Sequence, residues 1–241
     1  KPALVYFFLC QIQKSDINTS FSIWLQLICG GLIIDLVRGG QSVCGSSLIS
    51  SNRVLTAAHC WTTRQHQGSM VTVVLGSVFL FSGGVRISSN NVQIHESYNV
   101  DRLNNDIAVI VINNIRSIDL FSGSNQFDGV TATAIGFGRT GDSSADNINT
   151  SQVLRHVNLQ VITNDECARI YGFSTIVASM LCVRGDTHRS SICRGDLGGP
   201  LVINNELVGV SSFVAGAGCE WGFPAGGARV SYFNSWIRAH M

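Results

Sequence analysis

The chain has 241 residues, 45% of them hydrophobic and 13% charged, which is enough apolar material for a full core at a length where all-β barrels commonly form one domain. Its net charge of +1, with no run of Lys or Arg, lacks the electrostatic footprint of a nucleic-acid or anionic-membrane binder. The 25 glycines against 3 prolines suit a chain of many tight turns.

Residues 1–27 carry no assignment, and a globular domain is assigned to residues 28–241. Ala3 to Cys10 is apolar like the end of a secretory leader, but it has no cleavage pattern, and an arbitrary amino end explains it equally. Phe21 to Val37 is apolar too, yet Gln26, Gly30, Gly31 and Asp35 interrupt it and argue against a membrane span. Short Val- and Ile-rich runs bounded by turn residues predict strands at Val71–Leu75, Ile107–Ile112, Thr131–Ile135 and Leu207–Phe213. Thr163-Asn164-Asp165-Glu166 has the Thr-x-x-Glu capping pattern and predicts a short helix towards Tyr171. Phe233, Trp236, Ile237 and His240 recur at helical spacing, so the last ten residues should form a helix that lays this stripe on the body. Asn18-Thr19-Ser20 and Asn149-Thr150-Ser151 are glycosylation sequons, triplets that often arise by chance. Eight cysteines stand at 10, 29, 44, 60, 167, 182, 193 and 219. No Cys/His set among them has the short paired spacing of a zinc site, so no metal and no cofactor is expected.

Three motifs carry chemistry: Leu55-Thr56-Ala57-Ala58-His59-Cys60, Asn105-Asp106-Ile107-Ala108, and Gly195-Asp196-Leu197-Gly198-Gly199-Pro200. His59 precedes Asp106 by 47 residues, and Asp106 precedes Leu197 by 91. With the cysteines in register, this set resembles the chymotrypsin-like (S1, trypsin-like) serine endopeptidases from about Gly30 to Met241. Val43-Cys44-Gly45-Ser46-Ser47-Leu48 and Phe233-Asn234-Ser235-Trp236-Ile237-Arg238 look closest to the chymotrypsin- and collagenase-like digestive enzymes of arthropods.

The resemblance implies an all-β fold of two six-stranded antiparallel barrels with a C-terminal helix. Gly31 to Leu36 falls on an early barrel strand, His59 and Asp106 on the first barrel and Leu197 on the second. It also implies the bridges Cys44–Cys60, Cys167–Cys182 and Cys193–Cys219, leaving Cys10 and Cys29 unassigned. Bridges in this number point to secretion into an oxidising, extracellular space.

By the same resemblance His59 is the general base, Asp106 fixes its tautomer, and the amides of Gly195 and position 197 form the oxyanion hole. Position 197 calls for the nucleophilic serine, and leucine has no oxygen to deprotonate. The bland alternative for His59 is a residue merely packed beside Cys60. The family's activation terminus, an Ile-Val-Gly-Gly ammonium paired with the aspartate at 196, has only Ile28-Cys29-Gly30-Gly31 as a look-alike, too close to Cys44. Asp196 should therefore rotate, take up a proton or find another partner. Ser191 stands where trypsin-like members carry a pocket aspartate, and Val214 and Ala225 stand at wall positions that are usually glycine. They narrow the pocket unless they are ordinary variation.

Two functions follow as expectations. One is a secreted, catalytically inactive serine protease homologue, a monomer that binds protein or peptide ligands such as proteases or their inhibitors, with no nucleic acid or membrane partner. The other is an active chymotrypsin-like serine endopeptidase for which Leu197 and the amino-terminal segment are a sequence error or variant.

Overall fold

The structure, a computed structural model, describes residues 29–113, 125–185, 190–204 and 206–241. Cys10, the Asn18 sequon and the leader-like segment lie outside the described residues, as does the side chain of Cys29. The first half of the chain builds one antiparallel sheet from β1 (Cys29–Leu36), β2 (Gln41–Ser50), β3 (Arg53–Thr56), β4 (Gly68–Leu75), β5 (Val85–Ser89), β6 (Val92–Ile94) and β7 (Ala108–Val111). Its order is β5-β4-β1-β2-β3-β7-β6. The second half builds a closed barrel from β8 (Thr131–Gly136), β9 (Arg155–Ile162), β10 (Met180–Arg184), β11 (Pro200–Ile203), β12 (Glu206–Phe213) and β13 (Ala225–Arg229), in the order β10-β13-β12-β11-β8-β9.

The first unit departs from the six closed strands expected of it. Among the described residues it is a half-barrel of seven strands, because Asn90 and Asn91 break one strand into β5 and β6, which then stand at opposite edges. Two residues cannot span a flat seven-stranded sheet, so the sheet must curl until its edges approach each other. Ser89 Oγ donating to the Val111 carbonyl (2.6 Å) and Val111 N–H donating to the Asn91 carbonyl (2.9 Å) mark where they meet.

Burial follows the strand period. In β9, Leu159 and Val161 point into the second core while Gln160 between them is exposed. Leu181, Val183, Leu201 and Val208 fill the same core from neighbouring strands. Leu32, Leu55, Val73 and Val109 form the first core, which also takes Val210 and Ala228 from the second barrel. The two barrels thus share apolar surface.

Three α-helices occur among the described residues: α1 (Ala58–Trp61), α2 (Asn164–Tyr171) and α3 (Asn234–Ala239). The capping prediction for α2 holds: Thr163 Oγ1 accepts the Glu166 N–H at 3.1 Å, and Gly172 follows the last residue. Helix α3 is shorter than the ten residues expected, but its stripe behaves as expected. Phe233 and Ile237 are buried in the first core, and the Trp236 indole stacks on His240 (4.2 Å between ring centres) and donates to Glu96 (3.0 Å). No helix among the described residues is long and apolar enough to cross a membrane.

Disulfides close Cys44–Cys60, Cys167–Cys182 and Cys193–Cys219. Each constrains a short loop of the unfolded chain and contributes about 3 kcal/mol in the chain-entropy account.

Ile237 is fully buried, so Ile237→Ala leaves a cavity where α3 meets the first core. The expected loss is about 2–5 kcal/mol, read as a lower denaturant midpoint with an unchanged slope. A midpoint equal to the parent's would show that the helix is not docked as described.

Candidate active site

His59 sits where β3 ends and α1 begins. Strand β3 lies between β2 and β7, with Val54 and Leu55 fully buried, so the end of β3 is held on both sides. Thr56 Oγ1 donates to the Gly45 carbonyl (2.9 Å), and Cys60 is bonded to Cys44 on β2. Strand β7 pairs with β3 in the register Thr56↔Ala108, which brings Asp106, two residues before β7, to the end of β3 that carries His59. Asn105 has a φ of 54°, a left-handed conformation that asparagine tolerates, and its side-chain amide donates to the Ser97 carbonyl (2.8 Å).

Asp106 is buried and fully engaged. Its Oδ1 accepts the His59 N–H (2.8 Å), and its Oδ2 lies 2.6 Å from His59 Nδ1 and accepts the Ser212 hydroxyl. Burial disfavours the His59 imidazolium, but the charge of Asp106 and its hydrogen bond outweigh this and hold the pKa above the ordinary histidine value. The geometry keeps Nδ1 protonated and leaves Nε2 as the basic atom. Ser212 received no role from the sequence. The available signal was a pair of serines, Ser211 and Ser212, in an otherwise apolar buried strand.

Leu197 lies in a turn between Cys193 and β11. Asp196 N–H donates to the Cys193 carbonyl (3.0 Å), and Gly199 N–H donates to the Asp196 carbonyl (2.9 Å). The Leu197 carbonyl accepts the Gly45 N–H (2.7 Å) from the first sheet, while Gly198 N–H donates to the Ser211 carbonyl (2.7 Å) of the second barrel. Gly198 has a φ of 84°, which a side chain would strain. The Leu197 side chain is partly buried and packs against the apolar core of the second barrel, as does Val214. The N–H groups of Gly195 and Leu197 donate to no other described residue and remain free for an incoming acceptor.

Asp196 resolves the open alternatives in favour of another pairing. Its Oδ1 accepts the Gly138 N–H (2.6 Å) and its Oδ2 the Cys193 N–H (2.9 Å), and no cation pairs with it among the described residues. Desolvation outweighs these two bonds and pushes its pKa up to about 6. The residue borders a cavity of about 250 Å³ that Gly136, Gly138, Arg155 and Ser191 also line. Gly30 and Gly31 of the look-alike terminus are built into β1, paired with Ser46 and Gly45 of β2.

Of the three pocket positions, Ala225 is buried in the second core and Val214 packs on that same core. Val214 also borders a separate hollow of about 210 Å³ with Ala215–Cys219, whereas Ser191 faces the Asp196 cavity. The two clusters of potential metal ligands among the described residues, Cys44/His59/Cys60 and Asp142/Cys193/Cys219, each contain a disulfide, which has no thiolate to offer.

The trypsin family model matches residues 17–237. Collagenase of Hypoderma lineatum is 40% identical over 220 residues, covering 86% of this chain and 80% of that protein. Brachyurin of Leptuca pugilator is 37% identical, covering 81% and 86%. Trypsin delta of Drosophila melanogaster is 36% identical, covering 85% and 81%. Among solved structures, HL collagenase superposes with a TM-score of 0.79 at 36% identity, over 90% of this chain and 94% of that one. A scabies mite inactivated protease paralogue superposes at 0.72 over 90% and 92%, and at 22% identity it shares the fold alone. A match over most of the chain, joined to the His59–Asp106–Ser212 arrangement at the junction of two β units, places this chain in the trypsin family of serine proteases.

Proposed function

We propose that this trypsin-family chain is a secreted serine protease homologue without catalytic activity, a monomer whose fold serves to bind protein or peptide ligands such as proteases or their inhibitors. The observation that carries the reading is Leu197. At the turn where the family places its nucleophile, this chain has a hydrocarbon side chain packed on the second core. His59 remains a base with nothing to deprotonate, because a leucine has neither a proton to give nor a lone pair to attack with. The two free N–H groups of the hole can still polarise a carbonyl, but a site without its nucleophile retains only about 10³- to 10⁴-fold over water.

Two further features support the reading. Asp196 is satisfied by main-chain N–H groups in place of an ammonium, and Gly30 and Gly31 are committed to β1. Val214 and Ala225 add side-chain volume at positions that are usually glycine in the family, and both pack on the second core as Leu197 does. Three disulfides support an oxidising, extracellular location.

A second reading, an active endopeptidase, draws support from the intact His59–Asp106–Ser212 set and from relatives named collagenase and trypsin. Sequencing the transcript separates the two, since a serine codon at 197 would favour the second.

Protein of verified sequence is expected to hydrolyse no ester or amide substrate with covalent turnover and to resist labelling by fluorophosphonates. Stoichiometric label at position 197 would overturn the inactive reading. Leu197→Ser alone is expected to stay well short of an active relative assayed beside it. Asp196 has no cationic partner among the described residues to order the hole, and each misplaced oxyanion donor removes about 3–4 kcal/mol of transition-state stabilisation. Turnover equal to the relative's would show that the Asp196 pairing suffices.

The folded state holds the Asp196 proton more tightly than the unfolded chain does. Its contribution to stability is therefore full below about pH 4 and is lost as the pH rises through about 6, in all on the order of 3 kcal/mol. Urea titrations of the parent and Asp196→Asn across this range should diverge towards neutral pH, the parent falling while the variant, whose amide stands in for the protonated carboxyl, does not. Parallel curves would show that Asp196 titrates normally.

A further inference from the structure

The Asn149-Thr150-Ser151 triplet takes no part in the catalytic geometry, yet the fold presents it in an unusual way. It lies between a 3-10 helix (Ser144–Asp146) and β9, and all three residues are exposed. The residues on either side of it turn inward. Ile148 packs against Gly195, where an added Cβ would stand 2.5 Å from Ile148 Cδ1. Gln152 is buried, its amide donating to the Gly138 carbonyl (2.6 Å) and its own carbonyl accepting the Leu80 N–H (3.1 Å).

Between these anchors the chain bends outward. Asn149 Oδ1 accepts the Ser151 N–H (2.8 Å), and the Asn149 carbonyl accepts the Gln152 N–H (3.0 Å). This brings the third residue of the sequon back towards the asparagine amide. The Nδ2 of Asn149 makes one long contact, 3.3 Å to the Asn147 carbonyl, and is otherwise open to solvent.

We infer that Asn149 is an N-glycosylation site, an inference that rests on the proposed secretion of the chain. In the modification Asn149 Nδ2 bonds to the anomeric carbon of an oligosaccharide carried on a polyprenyl pyrophosphate. The bond from that carbon to the pyrophosphate oxygen breaks, the lipid pyrophosphate leaves with the electron pair, and the proton lost from Nδ2 passes to a base of the transferase. Nothing is oxidised or reduced. The glycan would stand beside a hollow lined by Asn149, Thr140 and Arg155, of which Thr140 and Arg155 also line the Asp196 cavity. It would therefore rise next to the part of the fold that holds Asp196 and Gly195.

The test expresses the full chain carrying Asn18→Gln behind an added secretory leader in insect cells. Because the leader is supplied, the result does not depend on the native chain's own route, and the labelling and hydrolysis assays above judge the inactive reading separately. Cell and medium fractions are pooled, treated with peptide N-glycosidase in heavy-oxygen water and mapped by mass spectrometry. The expected result is heavy-oxygen aspartate at 149 in more than half of the molecules, lost in Asn149→Gln and Ser151→Ala and kept in Thr150→Ala. Recovery of the Asn149 peptide unmodified in most molecules of the pooled material overturns the inference.

Discussion

The two halves of this molecule are registered by a main-chain contact in which no side chain takes part. Gly45 N–H reaches the Leu197 carbonyl, Gly198 N–H reaches the Ser211 carbonyl, and Gly45 lies so close to Gly199 that an added Cβ would stand 2.5 Å from the Gly199 Cα. Each partner belongs to a different layer: Gly45 to β2 of the first sheet, Leu197 to Gly199 to the turn before β11, and Ser211 to β12 of the second barrel. A methyl group here would push main chain against main chain, which cannot yield as a flexible side chain can. The same strand β2 holds Cys44, so the contact also fixes Cys60 and, one residue before it, His59. The position of the base relative to the Leu197 turn is thus set by backbone hydrogen bonds and a disulfide, whatever side chain occupies 197.

Two carboxylates, one buried and one partly buried, show how environment divides similar groups. Asp106 has a histidine ring and backbone N–H from the first sheet and a serine hydroxyl from the second barrel, so it spans the junction and orients His59. Asp196 has two main-chain N–H partners and a cavity at its side, and desolvation raises its pKa. The first keeps the geometry of a working base. The second is held by two main-chain N–H groups with no cation among the described residues, and it places a titrating group next to Leu197 in the same turn.

This arrangement explains how a trypsin-family scaffold stays ordered with leucine at 197. Leu197 contributes apolar packing to the second core through its side chain, while its carbonyl and the adjacent Gly198 N–H serve the junction. A partly buried hydrocarbon side chain at 197 therefore suits the packing, and selection for folding alone would not oppose it.

Much of this was legible in the chain. The Val- and Ile-rich runs at Val71–Leu75 and Thr131–Ile135, the Thr163 cap and the α3 stripe are local patterns, and local patterns survive in sequence because each strand or helix must bury apolar side chains. His59, Asp106 and the Leu197 turn were legible through their motifs. Other features depend on residues far apart in the chain. Ser212 reaches Asp106 across 106 positions, Gly138 reaches Asp196 across 58, and the bend at Asn90–Asn91 acquires meaning only when the two edges of a sheet meet. The sequence by itself determined strands such as those at Val71–Leu75 and Leu207–Phe213, the helix that Thr163 caps, and which side chains could do acid–base chemistry. Only the tertiary structure decided what partners Asp196 and that Ser212 reaches Asp106, because a hydrogen bond is settled by distance and direction, which arise for Asp196 when the second barrel closes and for Ser212 when the two β units pack together.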